Sequence, residues 1–339
     1  MLDSIIKQDC ENIIKQIKIN KLKKKKILIL GGNSFLASYI QAILSFIDCK
    51  IISVSLNKRK GILKKIVNNN LKFIKADLND QKKVKKILDK KFDYIFHFAT
   101  YGQPKKWLQN ELSTINLNIH LLEEILNHSV KYHSKILYLS SAAVYELNNK
   151  SKLVNENSRL SVGQFDSEVI YANSKIIGEQ LCRVYKKKYN IPVYIVRPAH
   201  TYGPGQDFKD PRIIPQLIKR ATYGKNIYIF DKGKSIRTWG YVADICLMIL
   251  NIVTSGKSMI YNVSGNDHKS ILEITKIISK IFDNKKILVK NKNLSFTSSK
   301  YTTLKISSKK YHLEFKNKFK TKFIDGINKT IKWNNSWQK

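Results

Sequence analysis

Apolar positions along the chain fall first at helical and then at strand spacing. Leu2, Ile5, Ile6, Ile13, Ile14 and Ile17 recur as one helical face, which predicts an amphipathic helix over 2–19 docked on the body of the protein, with a partner chain as the second choice. Ile27-Leu28-Ile29-Leu30 is a continuous apolar run closed by Gly31-Gly32, the pattern of a buried parallel strand ending in a tight turn. Residues 35–47 return to helical periodicity. Further strands are expected over 51–54, 71–74, 94–98, 136–139 and 193–196, with helices over about 80–90, 111–130 and 170–190 between them. That alternation predicts an α/β protein with a doubly wound parallel sheet, because each parallel crossover must carry the chain back over one face. Beyond Pro198 the texture is more irregular, with Pro204, Pro211 and Pro215, before a helix over 241–254 and a strand over 259–263 return to the sheet. The expected organisation is an N-terminal helix (1–20), a main domain (21–200, with 236–263 returning to it) and a smaller, discontinuous C-terminal lobe (201–235 and 264–339).

Composition changes this picture little. The chain has 339 residues, 43% of them hydrophobic, enough for a substantial core. Its 62 Lys+Arg against 25 Asp+Glu give a net charge of +37, which by itself suggests a nucleic-acid partner. Only seven of the basic residues are Arg (59, 159, 183, 197, 212, 220 and 237), the side chain whose planar fork suits phosphate and base edges. The Lys residues are spread over the whole chain among abundant Ile and Asn, as AT-rich codons would give. Neither nucleic acid nor membrane is therefore expected as a partner. The dense run Lys21 to Lys26 reads as a solvated linker. Cys10, Cys49, Cys182 and Cys246 have no metal-ligand spacing and fit reduced, buried thiols, so no metal is expected. No stretch approaches the ~18 uninterrupted apolar residues of a membrane span. Asp3, Asp9 and Glu11 interrupt the N-terminal apolar pattern and argue against a secretory signal, so the expected location is the cytoplasm.

Three segments carry candidate chemistry. Gly31-Gly32-Asn33-Ser34-Phe35-Leu36-Ala37 is a strand–turn–helix junction whose small residues would let a pyrophosphate approach backbone N–H groups at a helix N-terminus. Of the three glycines expected in such a fingerprint only Gly31 is present, so an ordinary βα turn stays open at this point. Tyr171-Ala172-Asn173-Ser174-Lys175 places a phenol and an ammonium four residues apart on one helix face, where the ammonium would lower the phenol pKa and make it a usable base. A solvated helix face would carry the same residues. Leu139-Ser140-Ser141-Ala142-Ala143-Val144-Tyr145 puts hydroxyls at the carboxyl end of a predicted strand, the edge where open α/β sheets bind ligands. A serine capping the turn is the alternative there.

Their order, with further segments, resembles the extended short-chain dehydrogenase/reductases of the nucleotide-sugar epimerase/dehydratase family over nearly all of residues 25–285. Asp77-Leu78 follow the third strand, and Phe96-His97-Phe98-Ala99-Thr100 close the fourth. Asn116 stands on the next helix. Arg197-Pro198-Ala199-His200-Thr201-Tyr202-Gly203-Pro204-Gly205, Arg237 with Tyr241-Val242-Ala243-Asp244, and Tyr261-Asn262-Val263 complete the set. The resemblance implies a Rossmann-type fold with the smaller lobe binding a nucleotide-diphosphate sugar, a homodimer built on helices over 111–130 and 170–190, and NAD as cofactor. It implies that Ser141, Tyr171 and Lys175 are the catalytic set. The cofactor would be held by Gly31, Ser34, Phe35, Leu36, Asp77, Leu78, Phe98, Ala99, Thr100, Asn116, Tyr171 and Lys175, with Asp77 on the adenine and Lys175 on the nicotinamide ribose. The substrate would be held by Ser141, His200 and Arg237, the last at the diphosphate. Arg197 is expected to be structural, at a strand end.

Departures from the family pattern narrow the reaction. Ser55, followed by Leu56-Asn57-Lys58-Arg59, stands where the family usually carries the acid that binds the adenosine 2′-hydroxyl, which leaves NADP open. His200 replaces the more frequent Asn. Dehydratases of the family carry Asp-Glu, and the related decarboxylases a Glu, immediately before Val-Tyr. Here those positions are Ala142 and Ala143, which cannot transfer protons, and Ser-Ala-Ala-Val-Tyr resembles the 4-epimerases. The expected activity is thus a nucleotide-sugar 4-epimerase serving surface-polysaccharide synthesis. An NADPH-dependent 4-ketosugar reductase is the alternative, and a non-catalytic cofactor-binding or RNA-binding protein is the reading from another class.

Overall fold

The computed structural model describes residues 2–145, 153–160, 169–206, 208–229, 231–283, 286–289, 303–316 and 321–337. The chain opens with α1 (Ser4–Ile14), β1 (Lys26–Leu30), α2 (Phe35–Leu44), β2 (Lys50–Ser55), β3 (Leu71–Lys75), α3 (Gln81–Leu88) and β4 (Tyr94–His97). Next come α4 (Pro104–Gln109) and α5 (Glu111–Ile115), a wide π-type turn over Asn116–His120, α6 (Leu121–Tyr132) and β5 (Lys135–Leu139). The short β6 (Leu153–Val154), α7 (Ile170–Tyr189) and β7 (Val193–Pro198) follow. The second half holds β8 (His200–Tyr202), α8 (Ile213–Thr222), β9 (Ile227–Ile229), β10 (Ile236–Tyr241), α9 (Val242–Ser255) and β11 (Ile260–Val263). It ends with β12 (Asp267–Ser270), α10 (Ile271–Ile281), β13 (Ile287–Val289), β14 (Thr303–Ile306), α11 (Lys309–Glu314) and α12 (Phe323–Trp337).

Seven strands form one parallel sheet in the order β11-β7-β5-β4-β1-β2-β3. Ile27 to Leu30 and all of Tyr94–His97 are buried, as strands covered by helices on both faces must be. The order reverses between β1 and β4, and a crevice opens there at the carboxyl edge of the sheet. This is the predicted doubly wound architecture. A second sheet, β12-β10-β14-β6 with β8 on β10, stands beyond that edge. Of the stretch expected to rejoin the main sheet, β11 does so as an edge strand, whereas β10 lies in the second sheet.

Local chemistry sets several element ends. Asp80 caps α3 by accepting from the Lys82 and Lys83 amides, and Ser270 with Glu273 forms a reciprocal capping box on α10. Lys21, Lys23 and Lys24 of the basic run before β1 are exposed, as a solvated segment implies, but the run is also anchored. Leu22 is buried within it, the Lys25 ammonium donates to Asp93 at 3.0 Å, and the Lys26 amide donates to the same carboxylate at 2.9 Å. Two charged contacts therefore pin the run at the entry to the sheet.

The N-terminal helix docks on the body, against α2 and α9. Ile5, Ile6, Cys10 and Ile13 are buried there, and Asp9 goes under with them, fully buried. Its carboxylate accepts from the Tyr39 hydroxyl of α2 (2.7 Å), the Tyr241 hydroxyl at the end of β10 (2.5 Å) and the Lys329 ammonium of α12 (2.8 Å). One carboxylate thus joins the first helix, α2, the last helix and the second sheet. Asp9→Ala leaves two buried phenols without their acceptor and is expected to cost about 3 kcal/mol, read as a fall in the urea unfolding midpoint at unchanged slope.

Candidate active site

The carboxyl ends of β1, β4 and β5 meet at the crevice, and each contributes one part of the candidate site. At β1, Gly31 adopts φ +84°, and a Cβ there would lie 2.6 Å from the Ala99 amide nitrogen beyond β4. Glycine is required on both counts. Ser34 begins α2, yet its side chain makes no capping bond, and its hydroxyl oxygen is buried without a partner among the described residues. At β4, Phe98 and Ala99 are buried, and the Thr100 hydroxyl is likewise buried without a partner. Two orphaned hydroxyls on neighbouring strand ends, a turn stripped of side-chain bulk and the exposed amides of a helix N-terminus fit a pyrophosphate between β1 and β4.

The rest of the expected cofactor track is set around this turn. Leu36 and Leu78 are buried, Phe35 is half-buried, and the Arg212 guanidinium lies over its ring at 5.4 Å. Asp77 is half-buried, with one carboxylate oxygen accepting from the amide and side chain of Asn79. Asn33 ties the loop after β2 to the turn, donating to the Asn57 and Lys58 carbonyls and accepting from the Lys60 amide. Asn116 is exposed on the π-type turn. It is Asn118, two residues on, that turns inward and donates to the Ser174 hydroxyl at 2.9 Å.

At β5 the predicted catalytic residues come together. The Ser141 oxygen accepts from the Ala143 amide at 3.1 Å, and the Ser141 hydroxyl is near enough to the Tyr171 phenol to favour its charged form. Tyr171 and Lys175 lie one turn apart on α7, both buried, with the ammonium nitrogen 5.9 Å from the centre of the Tyr171 ring. The ammonium donates to the Leu139 carbonyl at 2.7 Å and sits 4.7 Å over the Tyr138 ring. Burial pushes Lys175 down to about 7, against the opposing pull of Glu179.

One electrostatic expectation is corrected here. The sequence suggests that Lys175 lowers the Tyr171 pKa. In the structure burial raises that phenol, and only the nearby Ser141 hydroxyl offsets part of the rise. The ammonium is committed to the strand-end carbonyl instead. His97 stays neutral behind this pair. Burial first, and Lys175 second, push it down to about 3, while its Nε2 meets the Leu117 carbonyl at 2.9 Å.

The substrate side closes with β8 and β10. His200 opens onto the crevice and packs on Trp239 with ring centres 5.3 Å apart. The protein atoms packed around it, then the guanidiniums of Arg237 and Arg212, lower its imidazole pKa. Arg237 donates to its neighbour's carbonyl, that of Ile236, at 2.8 Å, and Arg212 pairs with Asp210. Two guanidiniums and a neutral donor-acceptor ring make this end of the crevice suited to a diphosphate.

Sequence reasoning missed the groups that hold the set in place. Glu179, one turn beyond Lys175 on α7, makes a two-pronged buried pair with Arg197 (2.8 and 2.5 Å) and accepts from the Ser140 hydroxyl. Arg197 therefore has the structural place expected of it. The spacing 171, 175, 179 along one helix face is the signal that pointed to Glu179. Trp107 of α4, stacked on Tyr171 at 4.7 Å and 9°, left no such signal.

Comparison with known proteins agrees with this geometry. The profile of the NAD dependent epimerase/dehydratase family matches residues 27–264. The bifunctional polymyxin resistance protein ArnA of Wigglesworthia glossinidia brevipalpis is 29% identical over 299 residues, 84% of this chain but only 44% of that protein. The dTDP-4-dehydro-6-deoxy-D-allose reductase of a Streptomyces species is 25% identical over 263 residues, 75% of this chain and 80% of the reductase. The crystal structure of UDP-glucose 4-epimerase from Thermotoga maritima, with UDP-glucose, superposes with a TM-score of 0.80 at 20% identity, covering 93% of this chain and 100% of that one. This last likeness is one of fold.

The Lys175 environment has a measurable consequence for stability. The amine binds its proton up to about 7 when folded and up to its ordinary value of 10.5 when unfolded, so between those limits the unfolded chain carries the extra proton. Stability therefore rises with pH through that window. The urea midpoint of the wild-type protein, taken relative to Lys175→Met, is expected to rise between pH 7 and pH 9.

Proposed function

The chain belongs to the NAD dependent epimerase/dehydratase family, and from that membership we propose that it is a nucleotide-sugar 4-epimerase acting by transient oxidation at C4. The observation that carries this reading is the pair Ala142 and Ala143 beside an assembled Ser141, Tyr171 and Lys175. Neither alanine can move a proton, so the extra acid–base steps of dehydration have no group to perform them at that position.

In this mechanism Tyr171 takes the proton of the sugar 4-hydroxyl. Ser141, near the phenol, donates to the same sugar oxygen as it becomes a ketone and stabilises the developing charge. Lys175, whose ammonium is fixed by its bond to the Leu139 carbonyl, would hold the nicotinamide ribose. NAD, when bound, would supply reversible hydride acceptance at C4. Gly31, Ser34 and the start of α2 would hold its pyrophosphate, with Thr100 beside them. His200 and Arg237 hold the substrate diphosphate. On this reading residues 21–200 form the cofactor-binding domain, and 201–235 with 264–339 form the substrate lobe. The same reading places the protein in the cytoplasm, where its four unpaired, buried cysteines stay reduced and where sugars for surface polysaccharides are made.

A second reading, a 4-ketosugar reductase using NADPH, is favoured by one feature. Ser55 ends β2 without a carboxylate, and the loop after it carries Lys58 and Arg59. Both readings use the same three residues, and they differ in whether reducing equivalents are consumed.

Incubation with a panel of nucleotide sugars in D₂O, followed by NMR, separates them. The expected result is inversion at C4 without added cofactor and without deuterium uptake. Stoichiometric loss of NADPH points to the reductase, and deuterium at C5 to dehydration or 3,5-epimerisation. Tyr171→Phe is expected to lower kcat by about 10²–10⁴-fold while NAD stays bound. Undiminished turnover in that variant would remove Tyr171 from the mechanism.

The homodimer belongs to the same proposal. Leu112 of α5 and Ile177 and Val184 of α7 are exposed on two helices that pack together. Light scattering is expected to give twice the 39.3 kDa chain mass, and Leu112→Glu with Ile177→Glu to give the monomer.

A further inference from the structure

Helix α4 brings Trp107 flat against the Tyr171 phenol, with ring centres 4.7 Å apart and planes 9° from parallel. The face of the phenol is thereby covered, and the ring that must present its oxygen to substrate is held in one plane. The indole nitrogen of Trp107 is buried and has no hydrogen-bond partner among the described residues. A buried N–H without an acceptor is rare because water has been removed and nothing replaces it. Where such a donor lines a binding crevice, an acceptor brought by the ligand completes it, and the site then discriminates against ligands that lack that acceptor.

The stack fixes where that acceptor must be. An indole parallel to the phenol at this separation keeps its N–H within the width of one sugar ring from the group that receives the proton. The pyrophosphate cradle is assigned to Gly31 and Ser34 and the diphosphate to Arg237 and His200, which leaves the sugar itself to meet Trp107. We propose that Trp107 is a substrate-reading residue, whose indole N–H donates to a sugar oxygen on a carbon next to the one Tyr171 acts on, while its ring holds the phenol in plane. This rests on the nucleotide-sugar reading above. It adds the part of the sugar that the protein distinguishes.

The test uses the full-length protein loaded with NAD. Calorimetry compares binding of a nucleoside diphosphate with binding of the nucleotide sugar that the wild-type protein turns over, in wild type and in Trp107→Phe. Phenylalanine keeps an aromatic ring on Tyr171 and removes the donor together with the second ring of the indole. The free nucleoside diphosphate is expected to bind both proteins within twofold, which reports an intact crevice. The nucleotide sugar is expected to bind the variant about three- to tenfold more weakly, the loss of one neutral hydrogen bond, with KM raised by the same factor. Trp107→Ala, which also removes the stack, is expected to lower kcat in addition. Equal nucleotide-sugar affinity in wild type and Trp107→Phe overturns the role of Trp107 and leaves the proposed activity standing. A wild-type protein that neither binds nor turns over any nucleotide sugar of the panel overturns the nucleotide-sugar reading itself, and the role of Trp107 with it.

Discussion

A single buried ion pair governs the geometry of the site. Arg197 at the end of β7 and Glu179 on α7 are 3% and 4% exposed, and they meet through two parallel hydrogen bonds. Burying both charges is expensive, and a hydrophobic pair of the same volume is often as stable. What the ion pair supplies is position. Glu179 also accepts from Ser140, the neighbour of Ser141, so it fixes the helix carrying Tyr171 and Lys175 against the strand end carrying the serine. Arg197 reaches on to the Tyr145 hydroxyl (2.9 Å), which donates to Asn262 on β11 (2.6 Å). Three adjacent strand ends and one helix are held by groups that satisfy one another, the condition under which a buried polar network specifies a single arrangement.

The same network sets the electrostatics. Burial would strip Lys175 of its proton far more completely if Glu179 were not on the same helix face, and its value near 7 is the balance of the two. A lysine poised there holds its charge at neutral pH only marginally. Proton transfer at Tyr171 and the charge on Lys175 are thus tied to Glu179, which touches neither the phenol nor the ammonium in the hydrogen bonds seen here. Behind them His97, held neutral, adds no competing positive charge.

Much of this was legible in the sequence because it rests on local spacing. Continuous apolar runs ending in Gly31 or Ser140 predict buried strands with ligand-binding ends, and the Tyr171–Lys175 spacing predicts a shared helix face. What was not legible depends on contacts distant in sequence. Asp9 reads as a polar interruption of an apolar helix, yet it is a fully buried junction, because its three partners come from residues 39, 241 and 329. The phenol pKa could not be read from Lys175 alone, since burial is a property of the assembled crevice. Trp107 belongs to a six-residue helix with no clear periodicity, and its stack on Tyr171 exists only once α4 and α7 are in place.

The charge excess takes on a different meaning at the level of geometry. Lysine supplies almost all of the +37 and is spread over the surface of the fold. Arginine is scarce and is placed where a planar fork is needed. Arg197 clamps a buried carboxylate, Arg212 and Arg237 stand near His200, and Arg59 lies over Phe73 while donating to the Leu71 carbonyl at the start of β3. Three of the seven arginines are thus tied to the crevice or to its supporting network, each through the directional contacts a planar fork makes. A protein selected for general attraction to polyanions would distribute its arginines over an open face. This chain places three of its seven arginines about one crevice at the carboxyl edge of a parallel sheet and its supporting network.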